Sequence, residues 1–167
     1  MIAPLTLANL VLLVVCRRAA RDYKDFFASE LFLKLAFTRG ECLVNAYSAA
    51  FMLLAPSFTA HELAPHFPPS DPAFAHPALR LCVRLFGATE ILVAGVFFFV
   101  LNKENARTLL PVVLMGDLAH YIAYARFSTE FPSPLLQNPG VVAHLITMTA
   151  VLHTKVLYLS AAAAAHD

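Results

Sequence analysis

Tryptophan is absent from this chain, and charged residues are scarce, at 14% of its 167 residues. A soluble domain usually contains about 25% charged residues, and a chain of this size leaves much of its surface in contact with water. Because 59% of the residues are apolar, the composition argues against a soluble globular fold. A net charge of +1 supplies no field that would neutralise phosphates, so we expect no nucleic-acid partner.

Motifs that bind metals, cofactors or phosphates are also missing. Cys16, Cys42 and Cys82 are widely spaced and form no Cys-x-x-Cys pair, which argues against a zinc ribbon or a thiol redox motif. The chain has no glycine-rich phosphate loop and no Gly-x-Ser-x-Gly elbow. We therefore expect no cofactor.

Long apolar runs, in contrast, fill most of the chain. A membrane helix needs about 20 mostly apolar residues, and four segments approach this length: Leu31–Ala55, Pro77–Leu101, Ala106–Phe127 and Leu136–Ala161. We predict an all-α fold, a polytopic membrane four-helix bundle over residues 31–161 with a tail at 162–167. Residues 1–30 hold a shorter apolar stretch and a basic flank, and we interpret them as an additional N-terminal helix, an anchor or interfacial helix.

Charges in the connections predict the orientation in the membrane. The Pro-rich segment Pro56–Pro77, which we interpret as one long loop, contains no Lys or Arg, whereas the other side carries Arg17, Arg18, Arg21, Lys24, Lys103 and Arg107. Because Lys and Arg concentrate in cytosolic loops, we expect the long loop to be lumenal in a protein of the endoplasmic reticulum membrane. Lys155 and His153 are expected to reach the cytosolic interface with their long or polar side chains.

Polar residues inside the predicted spans follow helical spacing. The first span has Lys34, Thr38, Glu41, Asn45 and Ser48, the second Glu90, the third Asp117, His120, Tyr121 and Tyr124, and the fourth His144. Gly87 and Gly95 flank Glu90 and would let helices approach closely. At about 1.5 Å per residue, the three carboxylates fall near the midplane of the membrane. We expect them to form one polar pocket.

The residue types in this pocket suit acid–base chemistry. A carboxyl group in a low-dielectric site can hold a proton at neutral pH, and a histidine one turn away can exchange it. We interpret Asp117, His120, Glu90 and Glu41 as catalytic, with Asp117 the proton donor, and Asn45, Tyr121, Tyr124 and His144 as substrate-binding. A metal site built from Asp117, His120 and His144 is the sharper alternative. Because the chain has only one Asp-x-x-His pair, we expect no metal.

Glu41, Glu90 and the run Gly116-Asp117-Leu118-Ala119-His120-Tyr121 resemble an uncharacterised fungal family of small four-helix integral membrane proteins with Gly-Asp-x-x-His in the third helix. More loosely, the pattern is similar to the emopamil-binding superfamily of sterol isomerases. That resemblance implies intramembrane acids that face a lipophilic ligand and move a proton along it. Small membrane-bound terpene cyclases offer a further analogy, although this chain has no Trp to stabilise a carbocation.

These observations lead to two hypotheses about function. The first is a membrane-embedded acid–base enzyme, an isomerase or cyclase that takes a lipophilic terpenoid, sterol or polyketide-like substrate from the bilayer. The second is a non-catalytic protein that uses the same pocket to bind a lipid, a sterol or a membrane partner. A proton-coupled carrier is a third, weaker hypothesis. Four helices in one chain seldom enclose a transport pathway unless the protein forms a homo-oligomer. Membrane lipids are the expected surroundings in each case.

Overall fold

A computed structural model describes the backbone of residues 2–63, 70–130 and 139–165, and side chains within 7–62, 70–123 and 142–165. Every regular element in these ranges is a helix, and they contain no strand. The all-α fold predicted from the sequence is therefore confirmed. Besides a short 3₁₀ helix at Pro72–Ala75, seven helices follow one another within the same ranges: α1 Ile2–Asp22, α2 Lys24–Phe27, α3 Glu30–Leu54, α4 Pro56–Leu63, α5 Pro77–Val100, α6 Ala106–Glu130 and α7 Pro139–Ala164.

Two of these helices are long and apolar enough to cross a membrane. They are α5, over Pro77–Val100, and the part Val142–Ala164 of α7, so the second and fourth predicted spans are confirmed to that extent. The third predicted span is a helix, α6, but the described part of this helix is not among those apolar enough to cross a membrane. Arg107, Asp117 and His120 lower its mean hydropathy. The predicted start of the fourth span, Leu136, lies outside the described residues.

The first predicted span is sharply bent at its end. Helix α3 is followed, after Ala55, by α4 at an angle of 115°, and the two together count as at most one span. The prediction of one long loop from Pro56 was wrong, because Pro56–Leu63 and Pro72–Ala75 are helical. Proline at the first position of a helix lacks only an N–H that would have had no partner there, so it starts a helix instead of preventing one.

Two π-helical segments interrupt the regular α-helical spacing. They cover Lys34–Glu41 in α3 and Val96–Val100 in α5, and they meet at Phe37 and Phe97, which are fully buried with ring centroids 6.0 Å apart. Because a π-turn holds more residues than an α-turn, the polar stripe predicted for α3 does not stay on one face. Lys34 pairs with Glu30 at the surface, 2.6 Å away, whereas Glu41 is buried.

The chain divides into two units, of which the second consists mainly of α3, α4 and α5, residues 37–100. Here α3 and α5 pack closely at Gly87, where a Cβ atom would lie 2.7 Å from the Cβ of Met52. Near the same end Arg84 Nε donates to the carbonyl oxygen of Leu53 at 3.4 Å. A Cβ atom at Gly95 would meet no neighbouring atom within 4 Å, so only Gly87 has the close approach expected for both glycines.

The first unit contains α1, α2, α6 and most of α7. Arg107, at the start of α6, donates to the carbonyl oxygen of Ala162, and Lys24 Nζ donates to that of Ala164 at 3.3 Å. The last turn of α7 therefore lies beside the first turn of α6, and these two helices are antiparallel. Contacts also place α1 in this unit, whereas the sequence predicted residues 1–30 as a separate segment.

Candidate functional site

The first unit contains a buried ion pair between two helices. Lys155 Nζ of α7 lies 2.7 Å from Asp117 Oδ2 of α6. At about 1.5 Å per residue, Asp117 lies about 16 Å from the first residue of α6 and Lys155 about 14 Å from the last residue of α7. The two residues are thus at the same level of the antiparallel pair, and both are several turns from the helix ends.

The two partners differ in exposure. The side chain of Lys155 has no exposed surface, whereas that of Asp117 is 22% exposed. The expectation that Lys155 reaches the interface was wrong, because its ammonium group instead turns to the only carboxylate on α6 within the described side chains. An ammonium group removed from water is stabilised by an adjacent opposite charge. Asp117 is therefore the partner that a molecule outside the pair can contact.

His120 and Tyr121 extend the polar surface along α6. His120 lies one turn after Asp117 on α6 and is half-buried. The hydroxyl of Tyr121 accepts a hydrogen bond from Asn9 Nδ2 of α1 at 2.8 Å. Three of the residues predicted for the pocket are thus on one helix of the first unit. Tyr124 is also on α6, but its side chain lies outside those described.

His153 completes the polar contacts between α1 and α7. It is buried, with Nδ1 2.8 Å from the carbonyl oxygen of Thr149 and Nε2 3.4 Å from that of Asn9. The expected position at the membrane interface was therefore wrong for His153 as well. Both ring nitrogens face carbonyl acceptors, and a neutral imidazole has a single N–H, so it donates to only one of them at a time.

Asn9, His153 and Lys155 are the residues of this region that the sequence did not assign to the pocket. Asn9 lies in the N-terminal helix, which the apolar pattern separated from the bundle. The pairing of Lys155 could have been predicted from the sequence, because an ionisable residue inside an apolar helix is usually paired with an opposite charge. Asp117 was the matching charge at the same depth.

The other predicted site residues belong to the second unit. Glu41 is buried on α3, and Asn45 and Glu90 are half-buried on α3 and α5. Since Phe37 lies opposite Phe97 and Leu53 opposite Arg84, the antiparallel register places Asn45 level with Glu90. His144 is half-buried on α7 and is grouped with the same unit. The residues predicted to form one pocket thus belong to two different units.

The described part of the chain contains no cluster of side chains that could bind a metal ion. Within these residues, no three or more His, Cys, Asp and Glu side chains lie close enough together to hold one. The arrangement of the first unit instead offers a carboxylate, an ammonium group and an imidazole, which can accept, donate or relay a proton.

No family model, no curated protein and no solved structure matches the chain. The resemblances to the fungal membrane family and to the emopamil-binding superfamily stay hypotheses. Any functional conclusion must therefore rest on the chemistry of the side chains.

Proposed function

We propose that the chain is an integral membrane protein whose α3, α5, α6 and α7 form a four-helix bundle. This proposal is supported by the two helices that are apolar enough to span a bilayer. It is also supported by the exposed surface of α5, where Leu81, Leu85, Leu92, Phe98 and Phe99 are each more than half exposed. Such a surface is unfavourable in water and suits contact with lipid. We also propose that this membrane is that of the endoplasmic reticulum.

Within this bundle we propose a membrane-embedded acid–base enzyme that acts on a lipophilic terpenoid, sterol or polyketide-like molecule. The observation that carries the proposal is the Asp117–Lys155 pair, with Lys155 fully buried and Asp117 partly open. Ionisable groups are costly inside a membrane and usually serve a function there. The ammonium group of Lys155 would stabilise the ionised carboxylate of Asp117, and Asp117 would contact the substrate.

This pairing changes the role expected for Asp117. A carboxylate that lies 2.7 Å from an ammonium group is a proton acceptor, whereas a cyclase needs a strong proton donor to open an epoxide or protonate an alkene. We therefore favour an isomerase. Asp117 would take a proton from the carbon between a carbonyl group and a double bond of the substrate, and the electron pair of that C–H bond would pass to the carbonyl oxygen to form a dienolate. Return of the proton at the far end, from Asp117 or through His120, would move the double bond.

Hydrogen exchange with solvent tests this chemistry. The purified protein, incubated in D₂O with a hydrophobic extract of the membranes that contain it, should add deuterium to one compound, as detected by mass spectrometry. Positioned general bases contribute about 10²–10⁴-fold to rate, so Asp117→Asn should slow labelling by at least about 100-fold. Glu104→Gln is the matched control, because Glu104 is exposed in the turn between α5 and α6.

Loss of labelling must be separated from loss of folding. Asp117→Asn leaves Lys155 charged and buried, so the double variant Asp117→Asn/Lys155→Met, which removes both charges, is measured beside it. A folded but inactive double variant supports the proposal. If a compound co-purifies with the wild type but gains no deuterium, the protein is a lipid or sterol binder. If Asp117→Asn labels as fast as the wild type, the assignment of Asp117 is overturned.

A further inference from the structure

The bend between α3 and α4 is lined by aromatic side chains on its outer surface. Tyr47 and Phe51 lie one turn apart on α3 with ring centroids 4.8 Å apart, and Phe51 is 6.4 Å from Phe58 on α4. Tyr47 is 69% exposed and Phe58 is 55% exposed. The three rings, which we call the aromatic ladder, form one continuous apolar surface that crosses the bend and is not covered by the rest of the second unit.

The bend falls where a membrane-spanning helix would reach the surface of the bilayer. From Lys34 to Leu54 the helix α3 would measure about 30 Å at the α-helical rise of about 1.5 Å per residue. Its π-helical start makes it slightly shorter, which is still close to the thickness of the hydrocarbon core. Lys34 is exposed and paired with Glu30 at one end. At the other end Arg84 donates a hydrogen bond to the carbonyl oxygen of Leu53. A charged Arg side chain at the end of a helix is expected where the helix reaches the polar headgroup region of the bilayer.

Beyond this point α4 turns by 115° from the direction of α3, so a nearly perpendicular α3 would leave α4 almost parallel to the membrane plane. The opposite side of α4 is attached to the protein: Pro56 and Ala60 are buried, and Ser57 Oγ donates to the carbonyl oxygen of Phe74 at 2.7 Å. Phe58 faces away from these contacts. Trp and Tyr are enriched at membrane–water interfaces, and because this chain has no Trp, its interfacial rings have to come from Tyr and Phe.

We propose that α4 is an interfacial helix and that the aromatic ladder runs from Phe58, at the boundary between phospholipid headgroups and acyl chains, into the acyl chains at Tyr47, which lies about 10 Å below Leu54 at about 1.5 Å per residue. This inference rests on the proposed membrane placement of α3 and α5. It does not depend on the acid–base chemistry of Asp117. The ladder fixes the depth of α3 in the bilayer, and the bent pair is one span followed by a surface helix.

The absence of Trp makes the depth of α4 directly measurable. Phe58→Trp introduces a single Trp at an exposed aromatic position, and Leu92→Trp places a single Trp at a 67% exposed site well inside α5. Each variant is reconstituted in phosphatidylcholine vesicles whose acyl chains carry bromine either close to the headgroup or deep in the chain. We expect Phe58→Trp to lose more fluorescence to the shallow bromine and Leu92→Trp to lose more to the deep one.

The control variant separates the two ways in which this inference can fail. If Leu92→Trp is quenched by deep bromine while Phe58→Trp is quenched only by aqueous iodide, α4 extends into water and the interfacial assignment is overturned. Equal depth of both fluorophores would make α3 and α4 a re-entrant pair and would also overturn it. If neither bromine quenches Leu92→Trp, the membrane placement itself fails, and the interfacial helix fails with it.

Discussion

Lys155 is in an environment that is unusual for a lysine, because lysine side chains are mostly exposed. A lysine at an exposed position contributes little through a salt bridge, but Lys155 has no exposed surface and lies 2.7 Å from Asp117. Removing one partner of a buried pair leaves an uncompensated charge, whereas removing both is often nearly neutral. Because the two partners differ in exposure, the two single substitutions should differ in how much they destabilise the protein.

We expect Asp117→Leu to destabilise the protein more than Lys155→Met. The first leaves a fully buried ammonium group and should cost about 3–5 kcal/mol. The second leaves a carboxylate that is 22% exposed and retains some contact with solvent, so its cost should be smaller. Thermal unfolding in one detergent measures both, and the double variant should return toward the wild-type midpoint. Additive losses in the double variant would show that the two charges do not stabilise each other.

At the scale of elements, the close packing of α3 against α5 depends on Gly87. A methyl group there would lie 2.7 Å from the Cβ of Met52 and 3.3 Å from the carbonyl oxygen of Ala49. Neither atom is the end of a flexible side chain, so the helices must move apart. We expect Gly87→Ala to destabilise the protein by about 1–3 kcal/mol, as overpacking does in well-packed cores.

Gly95→Ala is the matched control on the same helix. Its new methyl group would meet no atom within 4 Å, and Ala is favoured over Gly in a helix by about 0.5–1 kcal/mol. We expect Gly95→Ala to unfold at the same or a slightly higher temperature than the wild type. Equal destabilisation by both substitutions would contradict the close approach at Gly87.

Helices α5 and α7 could be predicted from the sequence because long apolar runs have few alternatives to a helix. The two π-helical segments could not, since helical spacing assumes a regular α-helix and carries no sign of a wider turn at Phe37 or Phe97. Helix α4 was missed because its prolines were interpreted as breaks. Asp117 and His120 could be paired from their spacing on one helix, whereas Lys155 required knowing which face of α7 meets α6.

At the scale of the whole molecule, the polar residues divide between two units. The first has Asp117, His120 and Lys155, and the second has Glu41, Asn45 and Glu90. The sequence predicted one pocket because helical spacing grouped the polar residues of each span and the rise per residue placed them at a similar depth. The proposed chemistry needs only the first set, so substitution of Glu41 or Glu90 should affect the second unit without removing the proton acceptor.

The orientation of the chain gives the last prediction, because α5 has the long Pro-rich segment at one end and the basic turn at the other. Ser70 and Lys103 are exposed near these two ends. Replacing Cys16, Cys42 and Cys82 by Ala provides a background for Ser70→Cys and Lys103→Cys. In sealed vesicles with the cytosolic face outward, a membrane-impermeant maleimide should label Lys103→Cys at once, since basic turns face the cytosol. Ser70→Cys should react only after detergent opens the vesicles. Labelling of both in sealed vesicles would mean that α5 does not cross the membrane, and the reverse pattern would invert the orientation.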